Sequence, residues 1–541
     1  MEYRSLTLDE IERMQQNGCW AEDWGLITVA EDFTASNIRR TSFYGEITIG
    51  ENCVLDNIGC IRNTGDGSFG ENNRISVMNE AGESNIVIHS RLTNYEAALY
   101  TLRKNGTTAC ADYEESRQTT IGSNTRITNT RELTNVIIGD NCELSGVSRL
   151  SDCTLAGEEI FIGTDAICEN TIIRTGASVL DGAKLYNCFV GEAVHIGKGF
   201  SAENSLFFAN SYMDNGEACA AFCGPFSVSH HKSTLLIGGQ YMFYNAGSNT
   251  NFSNHAYKIG PIHYGTMERG TKTASGAHIL WPARIGAFSM VMGKVQNHPD
   301  TTNLPFSYII ADAAGTSIVP GRNFATVGTY RDVNKWEKRD MRTTKEEIIN
   351  FDWLNPMTMG EVMRGRQLLE TLLEEQGRNQ SCYITDDGCT IKHHSLMKGI
   401  QYYDMAIKMY LGEMVERYGA YLPESSVGCG EWTDLAGLLA PKSEVDGMIE
   451  DFGEIAPDDI RERLQGIHED YEEYKWAWTY RMAIDYYALD NITRDDADGI
   501  VREGKAAREQ WLDAIRRDAE REFALGDVEE SALNAFLDQL K

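Results

Sequence analysis

Six of the 11 histidines crowd into one stretch of the chain: His230, His231, His255, His263, His278 and His298. An imidazole titrates near neutral pH, so it can take a proton from an attacking hydroxyl or amine. His255 is the leading candidate base, with Asn254 or a backbone group orienting its ring. His263 and His231 follow it. Lys258, Arg269, Lys272 and Arg284 share the stretch and could hold a phosphate or carboxylate, the arginines bidentately. Trp281 and Tyr264 offer flat faces for an adenine or a sugar ring. Each residue also has a plainer reading. A histidine can be structural, Trp281 before Pro282 can be packing, and the cations can pair with acidic parts of the same chain.

The placement of charge supports an anionic ligand there. The 541 residues carry a formal charge of −31. Residues 335–541 hold 25 basic and 44 acidic side chains, whereas residues 221–330 hold 7 basic and 3 acidic. A basic island in an acidic protein is where an anionic small molecule would go. The overall acidity argues against a general nucleic-acid binder. No apolar run reaches the roughly 18–20 residues of a membrane span, and the N-terminus lacks a signal peptide's pattern. The 13 cysteines show no CxxC pair or zinc spacing and read as reduced thiols of a cytoplasmic protein.

The elements that must position these residues begin with a short helix, capped by Thr7 and Glu10 and stopped at Gly18. After it a signature recurs: an aliphatic or aromatic residue, Gly, two polar residues, then a small one. It is seen at Ile49-Gly50-Glu51-Asn52-Cys53, Ile121-Gly122-Ser123-Asn124-Thr125, Ile138-Gly139-Asp140-Asn141-Cys142 and Ile162-Gly163-Thr164-Asp165-Ala166. Val190-Gly191-Glu192-Ala193-Val194-His195 runs directly into Ile196-Gly197-Lys198-Gly199-Phe200-Ser201. A coil of three short strands takes about three such hexapeptides. Each points one aliphatic side chain inward and turns at a Gly or Asn that tolerates positive φ. Cys53, Cys142, Cys153, Cys168 and Cys188 then read as small buried residues.

This repeat resembles the hexapeptide-repeat family, whose fold is a left-handed parallel β-helix. Most members are acyltransferases that use acyl-CoA or acyl-carrier protein, with a histidine base in a cleft between subunits. The segments Ser229–Tyr244, Asn254–Gly265, Lys272–Gly293, Phe306–Ile310 and Trp432–Ser443 resemble an uncharacterised bacterial family of that superfamily, with a helical C-terminal domain. The resemblance implies a homotrimer, acyl-CoA as co-substrate with no bound cofactor, and a sugar or nucleotide-sugar acceptor. Some relatives resemble carbonic anhydrases and bind zinc through three histidines. Their paired spacing is absent here, since seven residues separate His255 from His263, and no metal ligand is assigned. A metal-dependent hydratase or hydrolase and a non-catalytic binder of an anionic carbohydrate or nucleotide are the alternatives. A sugar-nucleotidyltransferase is set aside because residues 1–45 are too short for its Rossmann-like domain. P-loop, GxSxG and HExxH motifs are absent.

From Lys335 the hydrophobic period changes to 3.6. Ile400, Tyr403, Ile407, Tyr410, Leu411 and Met414 share one face. Ile460, Leu464, Ile467, Tyr471, Tyr474 and Trp478 form a near-heptad seam. Val501–Phe523 predicts a further helix, and 383–391 a hairpin or loop. Gly428-Cys429-Gly430-Glu431-Trp432-Thr433-Asp434 reads as a tight loop, a packing corner or the seat of a reactive Cys429 thiol. The expected organisation is a lead-in over 1–44, a mainly β solenoid over 45–330 with insertions at about 76–120 and 221–280, and an acidic α-helical domain over 335–541.

Overall fold

In the computed structural model the described residues are 2–80, 85–102, 118–255, 260–450, 456–526 and 528–540. They form a parallel β-solenoid and a helical C-terminal region. Two compact units divide the chain: Met1–Tyr264 with Asp340–Glu347, and Gly265–Arg339 with Ile348–Lys541.

Three inward columns build the core of the first unit. Ile138, Leu155, Ile173, Val190, Phe207, Cys223 and Tyr241 stack in parallel register along one side. Ile127, Leu144, Ile162, Val179, Ile196, Met213 and Ser229 form the second column. Leu133, Leu150, Cys168, Leu185, Ala202, Ala218 and Leu236 form the third. All are buried. Corners turn at residues with positive φ, among them Asn124, Asn141, Asn170, Asn187 and Asn204. Asparagine visits this region more readily than other side-chain-bearing residues. Close stacking also dictates Gly139, where a Cβ would sit 1.7 Å from the Gly157 carbonyl oxygen.

Several boundaries differ from the sequence expectation. Parallel pairing starts at Trp20, which pairs with Ser42, well before residue 45. These first strands lack the Gly-polar signature, yet they bury Ile27, Val29, Ile38 and Phe43 in the same way. The expected insertion lies between strands Val54–Arg62 and Thr119–Ile121. It holds an antiparallel hairpin and the capped, buried helix Asn94–Thr101. Residues 221–253 are not an insertion: strands Phe222–Cys223, Val228–Ser229 and Leu235–Ile237 stack on the preceding coil. Leu236, Tyr241 and Phe252 share the inward positions there with Cys223 and Ser229, and this mix of sizes hides the hexapeptide pattern. The five cysteines named above are buried, and burial pushes their thiols up, Cys53 and Cys142 to about 11.

In the second unit, parallel strands continue through Met290–Val295 and Tyr308–Asp312. Gly315–Val319 then turns back antiparallel, and the regular stacking ends. The predicted hairpin is present as Cys382–Ile384 against Thr390–Lys392. Helices His393–Tyr418 and Arg494–Leu525 approach closely where Gly412 faces Gly504; a Cβ on Gly412 would lie 2.5 Å from the Gly504 Cα. The predicted seam over 460–478 is two helices, Pro457–Glu469 and Tyr471–Tyr487, broken at Asp470. Among the described residues no helix is long and apolar enough to cross a membrane.

Candidate functional site

One outward column of the first unit gathers groups that can move a proton. Strand pairing sets Ser178 beside His195 and His195 beside Tyr212, with Gly197 beside Asp214. The inward partner of this column is Ile196, which is fully buried and fixes the strand. Ser178 Oγ lies 3.0 Å from His195 Nδ1. On the far side of the ring, Nε2 lies 3.4 Å from Asp214 Oδ1. Asp214 is fully buried, and its Oδ1 has no hydrogen-bond partner among the described residues. Its other oxygen takes the Lys198 ammonium at 2.6 Å, which holds the Lys198 pKa up.

The ring is held but reachable. Tyr212 stacks on it at 4.2 Å and 17°, and 26% of the His195 side chain remains exposed. Gly197 leaves the room this arrangement needs: a Cβ there would lie 2.9 Å from Asp214 Oδ1 and 3.1 Å from His195 Nε2. A carboxylate beside Nε2 favours the proton on that nitrogen, leaving Nδ1 to accept from a hydroxyl. Serine, histidine and buried aspartate thus line up as proton donor, base and orienting anion. His230 meets the edge of Tyr212 at 6.2 Å and sits 4.2 Å from His231. Burial first, then the His231 charge, lowers the His230 pKa.

The residues singled out from sequence are distributed between the two units. In the first, His231 is exposed beside His230. His255 is exposed, and its backbone bridges Pro261. The Asn254 side chain turns to Glu80, donating Nδ2–H at 2.7 Å, while its buried Oδ1 has no partner among the described residues. Glu80 also accepts from the Cys219 thiol at 3.1 Å. His263 is half-buried and donates its backbone N–H to the Asn254 carbonyl; Tyr264 is exposed. Lys258 lies outside the described residues.

In the second unit, Arg269 is fully buried and donates to Asp434 Oδ2 at 2.8 Å and to the Asn350 and Gly437 carbonyls. Asp434, on the hairpin of Trp432–Leu435 against Leu438–Pro441, therefore pairs with this guanidinium within the same chain, the plainer of the two sequence readings. Lys272 pairs with Asp332. Trp281 is buried and packs over Gly265, where a Cβ would meet its ring at 2.0 Å. Arg284 is exposed, 4.0 Å from Asp300. Cys429 is half-buried and burial raises its pKa, the opposite of what a reactive thiolate needs. Among the described residues no group of three or more His, Cys, Asp or Glu could hold a metal ion.

A second ionisable cluster lies in this unit. Glu268 and Glu361 are both buried, and burial raises both carboxyl pKa values. The Glu268 charge raises Glu361 further, while Arg364 and Arg284 oppose the rise. Glu268 Oε2 accepts from the Ala287 N–H at 3.1 Å; Glu361 Oε2 has no partner among the described residues.

Comparison with known families settles the chain's relationship. The model described as Domain of unknown function (DUF4954) matches residues 3–53 and 46–373. The chain belongs to this family. A second model, Domain of unknown function (DUF6819), matches residues 415–528 of the helical region. A curated relative, an uncharacterized protein of Treponema pallidum (strain Nichols), is 23% identical over 474 residues. The alignment covers 72% of this DUF4954 chain and 64% of that relative, so the chain spans less than two thirds of the relative's length. Among solved structures, one from Desulfovibrio desulfuricans G20 described as a "putative acetyltransferase" is 11% identical. It covers 53% of this chain and 70% of its own, with a TM-score of 0.14.

His195 is a candidate that the sequence reading passed over. Its neighbours lie 17 residues away on either side, the length of one coil. That spacing was the available signal: residues one coil apart share a column, so Ser178, His195 and Tyr212 must meet.

Proposed function

We propose that this protein transfers an acyl group from an acyl thioester, such as acyl-CoA, to a hydroxyl or amine of a sugar or nucleotide-sugar. His195 is the general base in this reading. The observation that carries it is the alignment of Ser178, His195 and the buried Asp214. Nδ1 is the proton acceptor, at the position that the Ser178 hydroxyl now contacts. As the imidazolium forms, Asp214 faces it across the ring, and a buried anion stabilises that cation more than water would. His255 shares neither feature among the described residues. A homotrimer belongs to the same proposal, and sizing chromatography with light scattering checks it.

The test is turnover of acetyl-CoA with a panel of amino sugars and nucleotide-sugars, read by thiol release and product mass. Replacing His195 with Ala should lower the rate about 10²–10⁴-fold with the fold retained. Loss of turnover in H255A but not in H195A would move the base to His255. Equal turnover in H195A and the unchanged protein would end the proposal.

A further inference from the structure

A separate cavity lies within the second unit, and nothing in the acyl-transfer reading uses it. Its volume is about 440 Å³, within the range of small-molecule pockets. Helix His393–Tyr418 supplies Met409, Tyr410, Glu413 and Met414 to its wall, Tyr471–Tyr487 supplies Lys475, and Arg494–Leu525 supplies Arg508 and Trp511.

Three observations narrow what fits. First, the walls include two indoles: Trp353 and Trp511 lie 5.7 Å apart at 30°. The Trp511 N–H is spent on the Phe324 carbonyl at 3.0 Å. Trp353 is only half-buried, so part of its surface is open. Second, the charges balance. Lys475 is buried and bonded to Asp352, which also accepts from the Tyr471 hydroxyl at 2.9 Å. Arg508 and Glu413 add one charge of each sign. A phosphate or a free cation gains no net field from such a lining. Third, acceptors and donors are both present. The Glu413 carboxylate has no hydrogen bond or ion pair among the described residues, and it is exposed.

A purely apolar ligand would meet neither the Glu413 carboxylate nor the remaining donors of the Lys475 ammonium, covering polar groups without hydrogen-bonding them. A neutral molecule with an apolar face and a rim of hydroxyls satisfies every wall. The face lies on an indole, and the hydroxyls both donate to carboxylates and accept from the ammonium.

We propose that this cavity binds an uncharged pyranose, with its carbon–hydrogen face on Trp353 and its hydroxyls on Glu413, Asp352 and Lys475. The proposal is independent of the acyl-transfer reading.

Ligand-observed NMR and calorimetry on the full chain test it, with glucose, galactose, N-acetylglucosamine, inorganic phosphate and AMP as probes. At least one neutral sugar should bind saturably below about 10 mM. E413A and W353F should each weaken it about tenfold or more. Glu413 is exposed, so E413A keeps the fold, and circular dichroism with a melting curve verifies this for both variants. No neutral sugar binding at about 10 mM overturns the proposal. So does sugar binding indifferent to both variants, or binding of phosphate or AMP alone.

Discussion

Glu347→Gln probes how segment 340–347 is held on the coils of the first unit. Glu347 is 5% exposed, and burial pushes its carboxyl from the usual 4.5 to about 7. Oε2 accepts from the Ala209 N–H at 2.9 Å, and Oε1 from the Glu192 N–H at 3.4 Å. Those bonds, with Arg174 and Arg342, oppose the rise without cancelling it. A carboxyl raised in the folded state holds its proton more tightly there than in the unfolded chain. Its stabilisation is therefore full below about 4.5 and is lost as pH climbs through about 7. The whole shift corresponds to about 3 kcal/mol, of which about 2.5 kcal/mol disappears between pH 5 and 8. Glutamine keeps the neutral shape at every pH. Urea unfolding of both proteins across that range should give a stability difference, variant minus unchanged chain, that grows by about 2.5 kcal/mol. The other carboxylates are common to both proteins and drop out of the difference. A difference constant to within about 0.5 kcal/mol would refute the reasoning.

Other perturbations follow from the same structure. R269L should destabilise by about 3–5 kcal/mol in thermal unfolding, because Asp434 stays buried without its cation; a cost below about 1 kcal/mol would mean the pair is dispensable. G197A should lower acetyl-CoA turnover at least about tenfold while the melting temperature holds, since its Cβ would crowd Asp214 and His195. Unaltered turnover there argues against His195 as a base oriented by Asp214. E268Q should flatten the loss of stability between about pH 4.5 and 8 in the second unit, where the raised Glu268 carboxyl would otherwise lose its proton. Identical pH profiles would show that Glu268 is ionised throughout.

The solenoid was legible because its signal is strictly local and repeated. Each hexapeptide announces one inward aliphatic and one turn, and the described coils honour both at Ile138, Asn141, Ile162 and Val190. Legibility failed where the inward positions changed chemistry. Around Phe222, Tyr241 and Phe252 the coil persists on aromatic packing, and the pattern reads as an insertion. Corner residues shift there too: Phe226 and Phe243 adopt positive φ and stack at 5.5 Å and 11°. A left-handed phenylalanine is strained, and face-to-face contact with the next corner offsets that strain. The helical seam over 460–478 misled for the opposite reason. Periodicity records which face is buried, and it passes unchanged across the break at Asp470.

Candidate site residues were harder to read, since clustering along the chain is a poor guide to clustering in a solenoid. The histidine-rich stretch promised convergence, yet Asn254 turns away to Glu80 and Arg269 to Asp434. In a coiled chain a residue's lateral neighbours lie one turn away, not four or eight residues away. His195 looked like one member of a hexapeptide until the coil length was known. Then Ser178 and Tyr212 fall on either side of it by register alone. What register cannot supply is depth. Asp214 sits on an outward position and is nonetheless fully buried beneath the ring and the Lys198 stem. That burial separates an orienting anion from a solvated surface carboxylate, and it arises from packing between coils rather than from any motif. D214N is consequently the sharper probe of the site than any histidine exchange. It preserves shape and removes only charge, so it should leave the melting curve in place and depress turnover. A turnover equal to that of the unchanged protein would reduce Asp214 to a structural partner of Lys198.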